Sequence, residues 1–355
     1  MRASLIVDIN KFKSNISTIK QKLNPGVKFL AVVKADAYGH GAIQISKAAE
    51  EEGVDYFGVA TIEEAIELRE SGINTPILIL TEPADLERLK GVLYYDISLT
   101  VFSNTFLKEL KTLTKKINKK IKIHLKVNTG MNRVGINVED ALELAKKISS
   151  DEHLELEGVC THLSDADNDD DSYTNHQLVK FNDLIHTLES AGINIPIKHA
   201  ANSVAAMNHK NAQLDMIRVG VALYKDIFTF KSRLIHIHNV EKGAEIGYGR
   251  TFVAENPMLI GVVSVGYADG YSRALSNNAS VIVMGQLCPV VGTVCMDMMM
   301  ISLPTKLTVK VGDSVTLIGS EGQNTITVDD IATLCNTIDY EIMCSIGKRV
   351  PRVYV

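Results

Sequence analysis

The sequence predicts an α/β fold: a (β/α)8 barrel of the TIM type followed by a C-terminal, mainly-β domain. Three observations predict it. Eight short, β-branched, nearly continuous apolar runs occupy roughly the first 230 residues, as expected of strands covered on both faces. Amphipathic helical stretches with start and stop signals alternate with those runs. Beyond about residue 230 the texture changes to short strands and Gly-rich turns with few helices.

The barrel strands are read at VKFLAVVK (27–34), YFGVAT (56–61), PILILT (76–81), DISLTV (96–101), IKIHLKV (121–127), LEGVCTH (156–162), PIKHAA (196–201) and MIRVGVAL (216–223). An opening helix places Phe12, Ile16, Ile19 and Leu23 on one face. Thr61 and Glu64 have capping-box spacing, so a helix starts there. Gly53, Gly72 and Gly192 each follow a helical stretch and precede a strand, where a left-handed residue is wanted. A doubly wound sheet competes with the barrel, but GHGAIQ lacks the third glycine of a dinucleotide fingerprint. The expected domains are residues 9–229, the barrel, and 230–355, built from RLIHIHNVE, GYGRTFVA, MLIGVVSVGY, ASVIVMG and SVTLIG. Residues 1–8, MRASLIVD, are a candidate strand of that second domain.

The composition narrows the function classes. A formal net charge of −5 gives no basic excess for nucleic acid or a membrane surface. No apolar run approaches the roughly 20 residues that span a bilayer. The start of the sequence has no signal-peptide h-region. Five scattered cysteines, with no CxxC pair, argue against a disulfide framework or a zinc site, so a reducing cytoplasm is expected. DADNDDD (165–171) resembles the start of an EF-hand, but Asp170 stands where its glycine belongs and His176 where its glutamate belongs. It reads as a solvated acidic loop. His236 and His238 share one strand face without a third metal ligand. Met298, Met299 and Met300 read as strand packing. No metal site is expected.

Polar residues gather where the barrel strands end: Lys34 at the first, Arg133 after the fifth, His162 at the sixth, Asn202 and Ser203 after the seventh, and Arg218 with Gly220 on the eighth. Taken singly, Lys34 reads as a solvated lysine, either arginine as a structural ion-pair member, and His162 as a satisfied core histidine. Together they would line one mouth, because a TIM barrel builds its site at the C-terminal ends of its strands.

AVVKADAYGHG (31–41) resembles the cofactor-lysine motif of the alanine racemases. KVNTGMNRVG (126–135), THLSDAD (161–167), AANS (200–203), IRVGVALY (217–224), EIGYGRTF (245–252), GYADGYSR (266–273), VGTVCMDMMM (291–300) and IDYEIMCSIGKRVPRVY (338–354) follow in family order across essentially the whole chain. The resemblance implies a pyridoxal 5'-phosphate-dependent racemase and a homodimer with shared active sites. Lys34 would anchor the cofactor covalently and act as one base; Tyr248, reaching in from the other subunit, would be the second. Arg218 would face the pyridine nitrogen, with His162 behind it. Tyr38, Asn202, Ser203, Gly220 and Tyr340 would bind the cofactor, chiefly its phosphate. Arg133 and the backbone at Met296 would address the substrate carboxylate. Lys126 matches a lysine that relatives carbamylate, and Tyr267 and Asp297 would support the entrance or the second base.

Those residue types suit the chemistry. An amine forms a Schiff base once deprotonated, and racemisation needs a proton at each face of the substrate. An arginine stays protonated, so a ring nitrogen facing it stays neutral. Three departures from the family pattern stand out. Lys225 replaces the usual glycine after Leu223 and Tyr224, Met298 replaces a glutamine, and the loop beyond His162 is unusually acidic. The activity expected is interconversion of L- and D-alanine, serving peptidoglycan precursors if the source is bacterial. Alternatives are a serine or broad-specificity racemase, with Tyr340 as the discriminating residue, and a non-catalytic cofactor-binding protein. GYGRTF and CMD argue against the last.

Overall fold

Runs of buried branched residues pair side by side in the computed structural model, which describes residues 1–84 and 88–355. In chain order the strands are β1 (Ala3–Val7), β2 (Lys28–Val32), β3 (Tyr56–Val59), β4 (Ile77–Ile79), β5 (Ser98–Val101), β6 (Ile121–Asn128), β7 (Ile136–Asn137), β8 (Leu154–Cys160), β9 (Ile197–His199) and β10 (Met216–Val219). They continue as β11 (Phe228–Val240), β12 (Glu245–Ile246), β13 (Phe252–Val253), β14 (Met258–Val263), β15 (Ser280–Val283), β16 (Gln286–Pro289), β17 (Met299–Leu303), β18 (Ser314–Glu321), β19 (Asn324–Ile326) and β20 (Arg352–Tyr354).

The barrel sheet runs β10-β2-β3-β4-β5-β6-β8-β9, with every pair parallel. Its seam is drawn together by two backbone bonds, Arg218 N to Ala201 O at 3.0 Å and Asp215 N to Lys198 O at 3.0 Å. The fold class expected from the sequence is therefore observed, a near-closed eight-stranded parallel barrel with helices and a separate sheet assembly. The strands are shorter than the apolar runs suggested; β2 stops at Val32, so Lys34 opens the following turn instead of ending the strand.

Two compact units result: residues 12–37 with 42–225, and residues 1–11 with 38–41 and 226–355. In the second, β1 pairs antiparallel with β11 and parallel with β20, while β11 also pairs with β14 and β18. β14 pairs with β17, β18 with β19, and β15 with β16 and β18, whereas β12 and β13 form a separate ribbon. In the helix Ile9–Lys20, Phe12, Ile16 and Ile19 are buried. Leu23 lies beyond its end and is half-buried.

The segment Lys34–Gly39 is a helical turn of the wrong hand. Ala35, Asp36, Ala37 and Tyr38 have φ of 52°, 54°, 52° and 54°. Left-handed helix costs an L-residue about 1–2 kcal/mol, so four in succession need outside support. Two carboxylates give it. Glu64 accepts from Ala35 N at 2.7 Å and from Ala60 N at 2.7 Å, while its own backbone N–H completes the capping box with Thr61. Asp36 accepts from Ala42 N at 2.7 Å, closing the turn onto the next helix. Replacing Glu64 by Ala strands those donors and is expected to lower the unfolding free energy by about 1–3 kcal/mol, measured as a shifted urea midpoint with an unchanged slope.

Candidate functional site

β2 ends at Val32, and the turn that follows sets Lys34 two residues past the strand end. Arg133 comes from the loop after β6. Asn128 folds that loop back, its side-chain oxygen accepting from Gly130 N at 3.2 Å and Asn132 N at 2.9 Å. Gly135 then packs so closely that a Cβ would lie 2.7 Å from Asn128 N, and its φ is +128°. His162 follows β8, and Arg218 stands on β10 with its side chain turned inward and buried. Its Nη2 donates to Thr161 O at 2.8 Å, Ala200 O at 2.9 Å and His162 Nδ1 at 3.2 Å; its Nη1 donates to His199 Nδ1 at 2.9 Å. Asn202 caps the short helix Ser203–Asn208 by accepting from Ala205 N, and the buried Ser203 hydroxyl accepts from Gly220 N at 2.9 Å.

These residues share one electrostatic environment. His162 is pushed down to about 2 by burial and by the charges of Arg218, Lys126, Arg133 and Lys34, so its imidazole is neutral and Nδ1 is free to accept. Burial lowers the Lys126 ammonium, with Arg218, Arg133 and Lys34 adding to the effect against an opposing influence from Cys160. Lys126 Nζ donates to Leu80 O at 3.3 Å. Lys34, Lys126, Arg133 and Arg218 thus crowd together, and among the described residues none of them ion-pairs with a carboxylate. A cationic group that balances no internal anion suits a dianionic phosphoester with an electrophilic ring. The Ser203 hydroxyl, held by Gly220 N, has its own proton to donate and suits the phosphate itself. The donor set therefore fits pyridoxal phosphate.

The remaining expected residues lie in the other compact unit. Tyr38 is buried with its ring 5.9 Å from that of Tyr340, and burial, then Tyr340, Cys344 and Asp339, hold its phenol well above the usual range. Tyr248 is 76% exposed, on a loop whose flanking Gly247 and Gly249 have φ of 75° and 73°. Thr293 Oγ1 fixes the carbonyl of Tyr248 at 2.8 Å. Tyr267 and Met296 are tied by the backbone: Tyr267 N reaches Cys295 O and Ala268 N reaches Met296 O, each at 3.1 Å. Asp297 accepts from Arg349 Nη2 at 2.7 Å, and its carbonyl from Arg2 Nη2 at 2.7 Å.

Two of the departures from the family pattern are accommodated without strain at the substituted residue. Lys225 is not in the left-handed region; its neighbour Asp226 is, at φ 56°. Met298 is exposed and precedes β17, whereas Met299 is buried in it. The acidic loop after His162 is largely exposed, and among the described residues no cluster could hold a metal ion. His236 and His238 stack at 4.9 Å. Sequence reasoning missed the buried polar residues behind Arg218, namely His199, His124 and Glu157. Their signal was a further polar residue, beside the lysines and Glu155, within each of IKIHLKV, LELEGVC and PIKHAA.

The family comparisons agree with this geometry. The alanine racemase N-terminal domain model matches residues 7–227 and the alanine racemase C-terminal domain model matches 227–354. An alanine racemase from Methanococcus maripaludis is 40% identical over 98% of this chain and 97% of its own. The solved alanine racemase of Clostridium difficile 630 superposes with a TM-score of 0.95 at 34% identity, covering 100% of this chain and 96% of its own. That of E. faecalis does so at 0.94 and 37%, covering 100% and 98%. The chain therefore belongs to the alanine racemase family, isomerases that work with pyridoxal phosphate.

Proposed function

We propose that this chain interconverts L- and D-alanine by exchanging the α-hydrogen between two bases, Lys34 and Tyr248, on opposite faces of the bound amino acid. The observation that carries this reading is the cationic group of Lys34, Lys126, Arg133 and Arg218 around neutral His162, gathered from the C-terminal ends of separate barrel strands. Bound pyridoxal phosphate supplies an electrophilic carbonyl and an electron-withdrawing ring that acidifies the α-hydrogen. Arg218, held by four acceptors, presents a permanent positive charge to the ring nitrogen and so keeps that nitrogen unprotonated. Asn202, Ser203 and Gly220 hold the phosphate, joined by Tyr38 and Tyr340. Arg133 and the Met296 backbone hold the substrate carboxylate.

Lys34 then takes or returns a proton at its Nζ, and Tyr248 does so at its Oη. Lysine and tyrosine both titrate near 10 in isolation, so each must give up its own proton before it can act as a base. Lys126 stands near Arg133, and a carbamate formed on it would turn that lysine from a fellow cation into a counter-ion for the guanidinium; Tyr267 and Asp297 shape the entrance. The Tyr248 loop is exposed, which suits delivery of this residue to the site of a second copy in a homodimer. The D-alanine formed would serve cell-wall synthesis in the cytoplasm. Among the described residues no helix is long and apolar enough to cross a membrane.

Replacing Tyr248 by Phe is expected to leave the cofactor's visible absorbance in place while cutting racemisation by about 10²–10⁴-fold; undiminished racemisation would remove the two-base assignment. Lys34→Ala is expected to abolish borohydride-trapped cofactor on the Lys34 peptide. If sites are shared, mixing Lys34→Ala and Tyr248→Phe protomers forms heterodimers with one intact site, restoring about a quarter of wild-type turnover. Two inactive pools that stay inactive on mixing, although sedimentation shows exchange, would refute shared sites. The ring of Tyr340 narrows the pocket to a methyl group, so kcat/KM for alanine should exceed that for serine by about 10²-fold. Equal values would favour the broad-specificity reading.

A further inference from the structure

TIM-barrel interiors are filled mostly by branched apolar side chains. Here a file of polar groups runs through one. Arg218 Nη1 lies 2.9 Å from His199 Nδ1, His199 Nε2 lies 2.8 Å from His124 Nδ1, and His124 Nε2 lies 3.0 Å from Glu157 Oε2. Tyr56 OH and Ser98 Oγ donate to the same carboxylate at 3.0 and 2.8 Å, and Lys122 Nζ stands 3.5 Å from it. All of these but Lys122 are buried.

The chemistry of the two ends fixes everything between them. A guanidinium can only donate, so His199 Nδ1 must carry a lone pair and its proton must sit on Nε2. That proton is donated to His124 Nδ1, which must therefore also be a lone pair. The remaining His124 proton is on Nε2 and goes to Glu157, which as a carboxylate can only accept. An imidazolium at His124 would force His199 to accept at both nitrogens, which a neutral ring cannot do. The file has one consistent assignment: two neutral imidazoles, both protonated at Nε2. Burial and the nearby charges of Arg218 and Lys126 hold His199 far below its ordinary range. Burial works against the Glu157 carboxylate, but His124, Ser98 and Lys122 outweigh it and keep it ionised.

The backbone is built around this contact. The β6–β8 register shifts between Ile123 and His124, the local irregularity that re-aims a side chain. Across from it Gly158 leaves the room required: a Cβ there would sit 2.5 Å from His124 Nδ1 and 2.7 Å from Ile197 O. Arg218, meanwhile, finds only neutral acceptors: two imidazole nitrogens and two carbonyls.

The geometry points to Glu157, acting through His124 and His199, as the positioning residue and remote counter-ion of Arg218: it locks both tautomers so that His199 always offers Arg218 a lone pair and the guanidinium stays aimed at the cofactor ring. The inference rests on the reading above that Arg218 faces that ring. It is tested first by ¹⁵N-histidine NMR of the wild-type protein, assigned with His124→Gln and His199→Gln samples. His124 and His199 should both be neutral and protonated at Nε2; an imidazolium or an Nδ1–H tautomer at either overturns the inference without reference to activity. In the holoenzyme, Glu157→Leu removes the acceptor and should move the cofactor absorbance and lower kcat by about 10–100-fold, the scale of an outer partner that orients a reacting group. KM should change little. Glu157→Gln keeps an acceptor oxygen and should recover most of the loss, whereas equal damage in both variants, or none in either, overturns the proposal. Arg218→Lys separates the two levels. An unchanged spectrum in that variant removes the underlying reading and the inference with it. A changed spectrum beside an unaltered Glu157→Leu overturns the inference alone.

Discussion

A buried arginine that must stay charged and stay still is the constraint around which the barrel is arranged. Arg218 is out of water, and an isolated buried cation is costly unless every donor finds an acceptor. The barrel supplies two carbonyls just past strand ends and two imidazole nitrogens, one from His162, two residues past β8, and one from the end of β9. Supplying them displaces the apolar packing that such a barrel would otherwise have. His124, His199, Glu157, Tyr56 and Ser98 take interior positions, and the β6–β8 irregularity and Gly158 follow from their bulk. The polar file is a consequence of placing a permanent positive charge at the barrel mouth.

The left-handed turn at Ala35–Tyr38 belongs to the same logic. It is an unfavourable backbone held by ordinary hydrogen bonds from Glu64 and Asp36. An extended strand would have carried Lys34 onward along the sheet. A turn of reversed hand sets the amine of Lys34 at the start of the segment and Tyr38 one turn later, so one strained element delivers both an amine and a phenol. Strain stored where chemistry occurs and supported by neighbouring elements is a recurring arrangement in active sites.

The barrel was legible because its strands are uninterrupted apolar runs and its helices carry caps such as Thr61 with Glu64. The site was legible in outline, because lysine, arginine and histidine at strand ends violate the apolar pattern together. Strand ends were read too long at several places, Val32 among them, since branched residues continue past the last ladder bond. The handedness of the 35–38 turn was not legible: Ala, Asp, Ala and Tyr hold no glycine to announce positive φ, and the cause lies in Glu64, remote in sequence. His124, His199 and Glu157 escaped notice because a lone polar residue in a strand is ordinarily a satisfied core group, and only their mutual distances turn three such residues into a chain. Lys225 stood out as a replaced glycine, and sequence alone cannot show that its neighbour Asp226 is the residue in the left-handed conformation.

The pairing of β1 has a consequence for how the polypeptide matures on the ribosome. Leu5, Ile6 and Val7 lie against Arg352, Val353 and Tyr354 on one side and against Phe228–Phe230 on the other. The barrel residues are threaded between these partners, so a nascent chain holds an unmatched strand edge while about two hundred further amino acids emerge. Non-local pairing of this kind slows closure and exposes an adhesive edge. Emergence of Arg352–Tyr354, rather than completion of the barrel, is then the event that lets this sheet seal.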